Sequence, residues 1–178
     1  MSAAAGLLPI ERFVRTLDIV WRDGGHLSYS WHRLFPVPID AAWVTALTKE
    51  PEAAERMDAF VSRFGRMQDT IADKLLPRWL QALAERPGSQ IDNLNRAEQL
   101  QVVVSVSSWL EARKLRNRLV HEYMEDAEEF AEGLNLASWY SVILMDTYNR
   151  VREFALHRMG LSETTLPAML VLPAPLRG

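Results

Sequence analysis

Between residues 52 and 76 the large apolar side chains recur at steps of three and four. Met57, Phe60, Val61, Phe64, Met67, Ile71 and Leu75 all follow this rule. That spacing puts them on one stripe of an α-helix, and a stripe this long must be buried against other elements. A second such run follows from 126 to 159, where Phe130, Leu134, Ala137, Leu144, Tyr148 and Val151 form the stripe. Asp126 and Glu129 have the spacing of an N-cap and its capping-box partner, and Gly160 follows the last turn. No alternation of period two competes anywhere, and no internal repeat is visible. The fold class expected is all-α, an antiparallel bundle with short connections.

Shorter segments fill the rest. Residues 9–22 are amphipathic and are expected to end at Gly24-Gly25, while 26–38 has no clear period. Asp40 opens a short helix over 40–47. Trp79, Leu80 and Leu83 continue the first long stripe past Pro77. Proline has no N–H to give the Asp73 carbonyl and clashes with that turn, so a kink or break is expected there. Pro87-Gly88-Ser89 stops the helix, and another is expected around 93–103. Ser108 and Glu111 have capping-box spacing for the helix after it. The tail LPAMLVLPAPL holds three prolines and is expected to lie extended across a groove, its own or a neighbour's.

At 178 residues this is one domain's worth of chain with ample core. The 48% apolar share excludes a disordered chain, and a net charge of −3 excludes bulk electrostatic coating of nucleic acid. There are no cysteines, hence no disulfide, no thiolate zinc site and no cysteine nucleophile. Glu11 and Arg12 interrupt the N-terminal apolar stretch too early for a signal peptide. No run of about 18 apolar residues suggests a membrane span. A cytoplasmic location is expected, with no membrane association.

Against that acidic total, residues 113–125 read RKLRNRLVHEYME. On a helix turning about 100° per residue, Arg116, Val120, Leu119 and Tyr123 share one edge. Arginine keeps its charge and offers a fork of donors matching phosphate oxygens. Histidine titrates near neutrality and so can take or deliver a proton. Together Arg116 and His121 suit RNA cleavage by attack of its own 2′-hydroxyl, with Asn117 one turn before His121 to orient the ring. They lie about 140° apart around the helix and do not converge alone, so two copies facing across a symmetric interface form the natural site. Arg113, Lys114 and Arg118 read as solvated charges able to guide RNA inward. The acids from Glu122 to Glu132 read as a turn and a favoured helix N-terminus, not a metal site. HEYME has Glu125 where a zinc hydrolase needs its second histidine, and His26, His32 and His157 read as packing or surface residues. No glycine-rich phosphate loop is present, and neither cofactor nor metal is expected.

The run Arg116 to Tyr123, R-N-R-L-V-H-E-Y, resembles the R-x-x-x-x-H-x-Y motif of HEPN domains. Specifically it is similar to the HepT-like toxins of HEPN/minimal-nucleotidyltransferase pairs, whose preferred polar residue after the arginine is matched by Asn117. RFGRMQDTIADKLLPRWL (63–80) and DNLNRAEQL (92–100) look like that family's preceding helices. The resemblance covers roughly 50–160. It implies a HEPN-type bundle over 51–160; outside the resemblance, a helical extension packed on it is expected over 1–50 and an extended tail over 161–178. The resemblance further implies a homodimeric, metal-independent endoribonuclease toxin acting on RNA and not on DNA. Arg116 would stabilise the transition state and His121 serve as general base or acid, with Asn117 in support. The partner would be a nucleotidyltransferase antitoxin that silences the toxin by adenylylating Tyr123. The alternative is a non-catalytic HEPN-like dimeric module in a defence or regulatory complex.

Overall fold

Phe13, Leu17, Val20, Gly24, Leu27, Trp31 and Leu34 are buried and recur at alternating steps of four and three. They form the inner stripe of a single helix, α1 (Pro9–Leu34), in the computed structural model, which describes residues 6–121, 126–174 and 176. The helix therefore does not stop at Gly24-Gly25, and it absorbs most of the segment that had no clear period. The physical reason is that Gly24 stands on the apolar stripe. A Cβ there would lie 2.4 Å from Leu170 Cδ1 and 3.2 Å from Met67 Cε, so tertiary packing overrides glycine's weak helix propensity.

After α1 come α2 (Ala41–Ala46), a 3₁₀ turn (Leu47–Lys49), α3 (Pro51–Thr70), a π turn (Ile71–Leu75) and α4 (Leu76–Ala82). α5 (Gln90–Gln99), α6 (Val106–His121) and α7 (Ala127–His157) complete the order, and the described residues hold no strand. α1 packs on α3, α4 and α7, while α6 packs on α3, α5 and α7. Every residue of the two long apolar stripes read from the sequence is buried in one continuous core. Fully enclosed Trp79, Phe60, Phe64 and Tyr148 are among its largest members. None of the described helices is long and apolar enough to cross a membrane.

Pro77 does not end its helix. With no N–H to offer Asp73, the chain widens by one residue, and the Leu76 N–H bonds the Ile71 carbonyl in a π turn. Two helix starts also shift. The α5 cap is Ser89, whose Oγ accepts from Asp92 N at 3.2 Å while Asp92 Oδ2 accepts from Ser89 N at 3.0 Å. The cap of α6 is Ser105 rather than Ser108, because Ser105 Oγ accepts from the Ser108 N–H at 3.1 Å. Asp126 caps α7 as expected, accepting from Glu128 N and Glu129 N.

Three asparagines fasten non-helical backbone to the core, each with its amide imitating a peptide group. Asn135 bonds both N–H and C=O of Ile39, at 2.9 and 2.7 Å. Asn93 does the same for Gly88, and Asn149 for Leu170 at 2.8 and 2.9 Å. The last holds the tail along α1 and α7, joined by Tyr148 Oη donating to the Ala168 carbonyl and Arg152 Nε donating to the Pro167 carbonyl. Burial pushes the Tyr148 hydroxyl well above its ordinary pKa, which keeps it a donor.

Arg152 is buried and also ion-paired to Glu153 and Glu163. The Arg152 hydrogen bond, with His157 as a smaller partner, holds the Glu153 carboxyl below its usual range. A depressed carboxylate contributes stability above its unfolded pKa of about 4.3, and that contribution fades as pH falls through the folded value. The melting temperature should therefore drop faster below about pH 4.5 in the wild type than in Glu153→Gln. Parallel melting curves from pH 6 to 3 would contradict this.

Candidate functional site

The α6 helix is set between two glycines. On the α7 side, a Cβ on Gly133 would lie 3.2 Å from Leu119 Cδ2 and 3.4 Å from Leu115 Cδ1. On the α3 side, a Cβ on Gly65 would stand 2.8 Å from Arg116 Nε and 3.4 Å from its Cγ. Glycine at 65 thus lets the aliphatic stem of Arg116 lie directly across the backbone of α3. The guanidinium emerges one turn further along α3, where Nη2 donates to Asp69 Oδ2 at 2.7 Å. Its other terminal nitrogen, Nη1, lies 3.4 Å from Asn117 Oδ1.

Arg116 is the least exposed cation of the motif helix, with its side chain 30% exposed. It sits at one end of a cleft of about 380 Å³ between α3 and α6, lined also by Met57, Asp58, Val61, Ser62, Leu119 and Val120. Val120 is half exposed and adds an apolar rim. The edge shared by Arg116, Leu119 and Val120 is therefore a groove wall. His121 is exposed and has no hydrogen-bond or ion-pair partner among the described residues. Asn117 approaches Arg116 and not His121, so the orienting contact expected for the ring is replaced by one to the guanidinium. Tyr123 lies outside the described residues.

The remaining cations of the motif have separate partners. Lys114 pairs with Glu111 at 3.3 Å and Arg118 with Glu129 at 3.9 Å, both exposed contacts of little energetic weight. Arg113 Nη1 donates to Gln90 Oε1, and Gln90 Nε2 in turn donates to Asp73 Oδ1 at 2.7 Å. The Asp73 carboxylate belongs to the π turn, four residues after Asp69. The two carboxylates therefore engage α6, one directly and one through α5. Sequence reading missed Gly65, Asp69, Asp73 and Gln90. The available signal was the glycine inside an apolar helix, which marks close approach of another chain segment.

What this arrangement can do follows from its donors. Asp69 occupies one edge of the guanidinium and fixes its direction, and Nη1 lies at the exposed end of the side chain beside Asn117. The Asp69 carboxylate is itself 49% exposed, so the pair is weak enough for an incoming phosphate to compete for the fork. Among the described residues no group of three or more His, Asp or Glu side chains is disposed to hold a metal ion. Comparison with protein-family models, curated proteins and solved structures finds no match for this chain.

Gly65→Ala separates a guanidinium that acts from one that only staples helices. Alanine favours the helix by about 1 kcal/mol, but its methyl group displaces Arg116 from Asp69. The melting temperature should hold or rise slightly while any activity that depends on the oriented guanidinium falls at least tenfold. Full activity in a stable Gly65→Ala protein would remove Arg116 from the chemistry.

Proposed function

We propose that this chain is a metal-independent endoribonuclease of the HEPN type, acting as a homodimeric toxin on cellular RNA. The observation that carries the reading is the pairing of opposites on one helix. Arg116 is partly buried, lines a cleft with its stem and is oriented by Asp69, while His121 is exposed and without a partner among the described residues.

In this mechanism the RNA phosphate enters beside Arg116 and takes the guanidinium fork. A neutral His121 imidazole removes the proton of the adjacent 2′-hydroxyl. The O2′–P bond forms as the P–O5′ bond breaks, and a protonated imidazole delivers a proton to the leaving O5′. The products are a 2′,3′-cyclic phosphate and a 5′-hydroxyl. A dimer supplies two imidazoles, one for each transfer, and Arg116 stabilises the charge that develops on the phosphorus oxygens. Arg113, Lys114 and Arg118 attract the strand, and Asn117 braces Arg116. Silencing by a nucleotidyltransferase partner would add an anionic adenylyl group at Tyr123, two residues from His121.

The Arg116–Asp69 ion pair also fits a non-catalytic dimeric module in which Arg116 only joins α6 to α3. Inducible expression without any partner gene separates the two. Growth arrest by wild type and not by Arg116→Ala or His121→Ala is the expected outcome. Harmless wild type, with purified dimer leaving RNA intact, would favour the module. Adenylyl transfer is read by intact mass with the neighbouring nucleotidyltransferase and ATP. No added mass on wild type, or equal addition on Tyr123→Phe, would remove Tyr123 from the account.

A further inference from the structure

The other flank of α3 carries a second cleft, this one rich in arginine. It opens between α1 and α3, has a volume of about 450 Å³, and brings together Tyr29 and Arg33 of α1 with Arg56 and Arg63 of α3. Glu52 and Glu55 line it too, yet among the described residues no carboxylate oxygen lies within 4.0 Å of any of these three guanidiniums. Neutral acceptors orient them instead. Arg33 Nη1 donates to Tyr29 Oη at 2.9 Å, and Arg56 Nε approaches the Glu52 carbonyl at 3.4 Å. Arg63 Nη1 donates to Ser30 Oγ at 2.8 Å and to the His26 carbonyl at 3.2 Å. Arg96, Arg116, Arg150 and Arg152 each meet a carboxylate, while Arg78 and Arg113 are single arginines held by neutral oxygens; only this cleft gathers three such arginines.

Three oriented guanidiniums, none in direct contact with a carboxylate, outnumber Glu52 and Glu55 in the cleft and leave donors free for an anion. Tyr29 narrows its class. The residue is 58% exposed, and the Arg33 guanidinium lies 5.6 Å from its ring centroid. An open aromatic face beside phosphate-binding forks is the chemistry that holds single-stranded nucleic acid, with bases on the ring and the backbone on the cations. The cleft is also well placed. Arg63 faces it, Gly65 faces the Arg116 cleft, and exposed Ser62 and Arg66 lie on the ridge of α3 between them. A helix with its side chains is about 10 Å across, a span of a few nucleotides.

We propose that the α1/α3 cleft anchors the backbone of single-stranded RNA, with a base on Tyr29, so that the strand crosses α3 into the cleft of Arg116. The choice of RNA rests on the ribonuclease reading above; the anion-binding chemistry of the cleft does not. The test uses the full chain carrying His121→Ala and a fluorescein-labelled 12-nucleotide single-stranded RNA, followed by anisotropy across a salt series. Adding Arg33→Glu and Arg56→Glu should raise Kd at least tenfold. It should also lower the steepness of the salt dependence by about 1.4, the loss of two phosphate contacts at ~0.7 each. Tyr29→Ala, which alters no charge, should raise Kd severalfold and leave the salt slope in place. Arg63 is kept because it ties α1 to α3, and thermal melts verify the fold of each variant.

Unchanged Kd and slope in the double-glutamate protein, or no RNA binding by the parent, would overturn the proposal. In an otherwise wild-type chain the same pair should raise KM, the loss falling on substrate capture. A protein that binds RNA through this cleft yet never cleaves it ends the ribonuclease reading and leaves this one standing. A cleaving protein indifferent to Arg33→Glu/Arg56→Glu does the reverse.

Discussion

Arg116→Ala is expected to slow RNA cleavage by the purified protein at least 100-fold, and His121→Ala by a similar or larger factor. Removing one pre-oriented donor to a developing oxyanion costs about 10²–10³ in rate. Loss of a positioned acid–base group costs about 10²–10⁴. Stability should barely respond. Arg116 meets a half-exposed Asp69, a pair worth at most about 1 kcal/mol, and His121 has no partner to lose among the described residues. Large loss of activity at nearly constant melting temperature separates chemistry from stapling. Retention of activity within threefold in either variant would leave this site without a catalytic role.

Arg152→Ala should be the reverse, a loss of stability with chemistry spared in the molecules that remain folded. The side chain is buried, donates to the Pro167 carbonyl at 3.0 Å, and meets Glu153 and Glu163. Its removal unfastens the tail and leaves a void. The two carboxylates are partly exposed and rehydrate, so the cost is below that of a sealed ion pair, about 2–4 kcal/mol. At ~2–4 °C per kcal/mol for a chain of this size, the melting temperature should fall by roughly 4–16 °C. Asn149→Ala should add little in the same protein, because both hold one strap and their effects are coupled. A melting temperature within 1 °C of wild type would mean that the tail contributes nothing to the fold.

The long apolar stripes were legible because periodicity records burial directly. Phe64, Met67 and Ile71 on one helix and Leu134, Leu144 and Tyr148 on another needed no tertiary information. Gly24-Gly25 misled because a glycine carries no hydropathy signal, although Gly24 occupies a stripe position between Val20 and Leu27. Its reason for being glycine is Leu170, almost the whole chain away. Pro77 announced a break in the hydrogen-bond ladder but not its form, since a kink and a π turn relieve the same missing donor. The asparagine clamps at Asn93, Asn135 and Asn149 were invisible because their partners are backbone atoms. At the site, the helical edge shared by Arg116, Leu119 and Val120 could be drawn from spacing alone. Asp69, the group that aims Arg116, could not, because an acid on an exposed helix face looks the same whether or not a cation reaches it.

The proposed function rests on one chemical step, cleavage of RNA by its own 2′-hydroxyl at Arg116 and His121. The direct measurement incubates the purified protein with a defined oligoribonucleotide in excess EDTA and identifies the new ends by mass spectrometry. The expected ends are a 2′,3′-cyclic phosphate on the upstream fragment and a 5′-hydroxyl on the downstream one, both absent with Arg116→Ala. Intact RNA, or fragments carrying a 3′-hydroxyl and a 5′-phosphate, would contradict it.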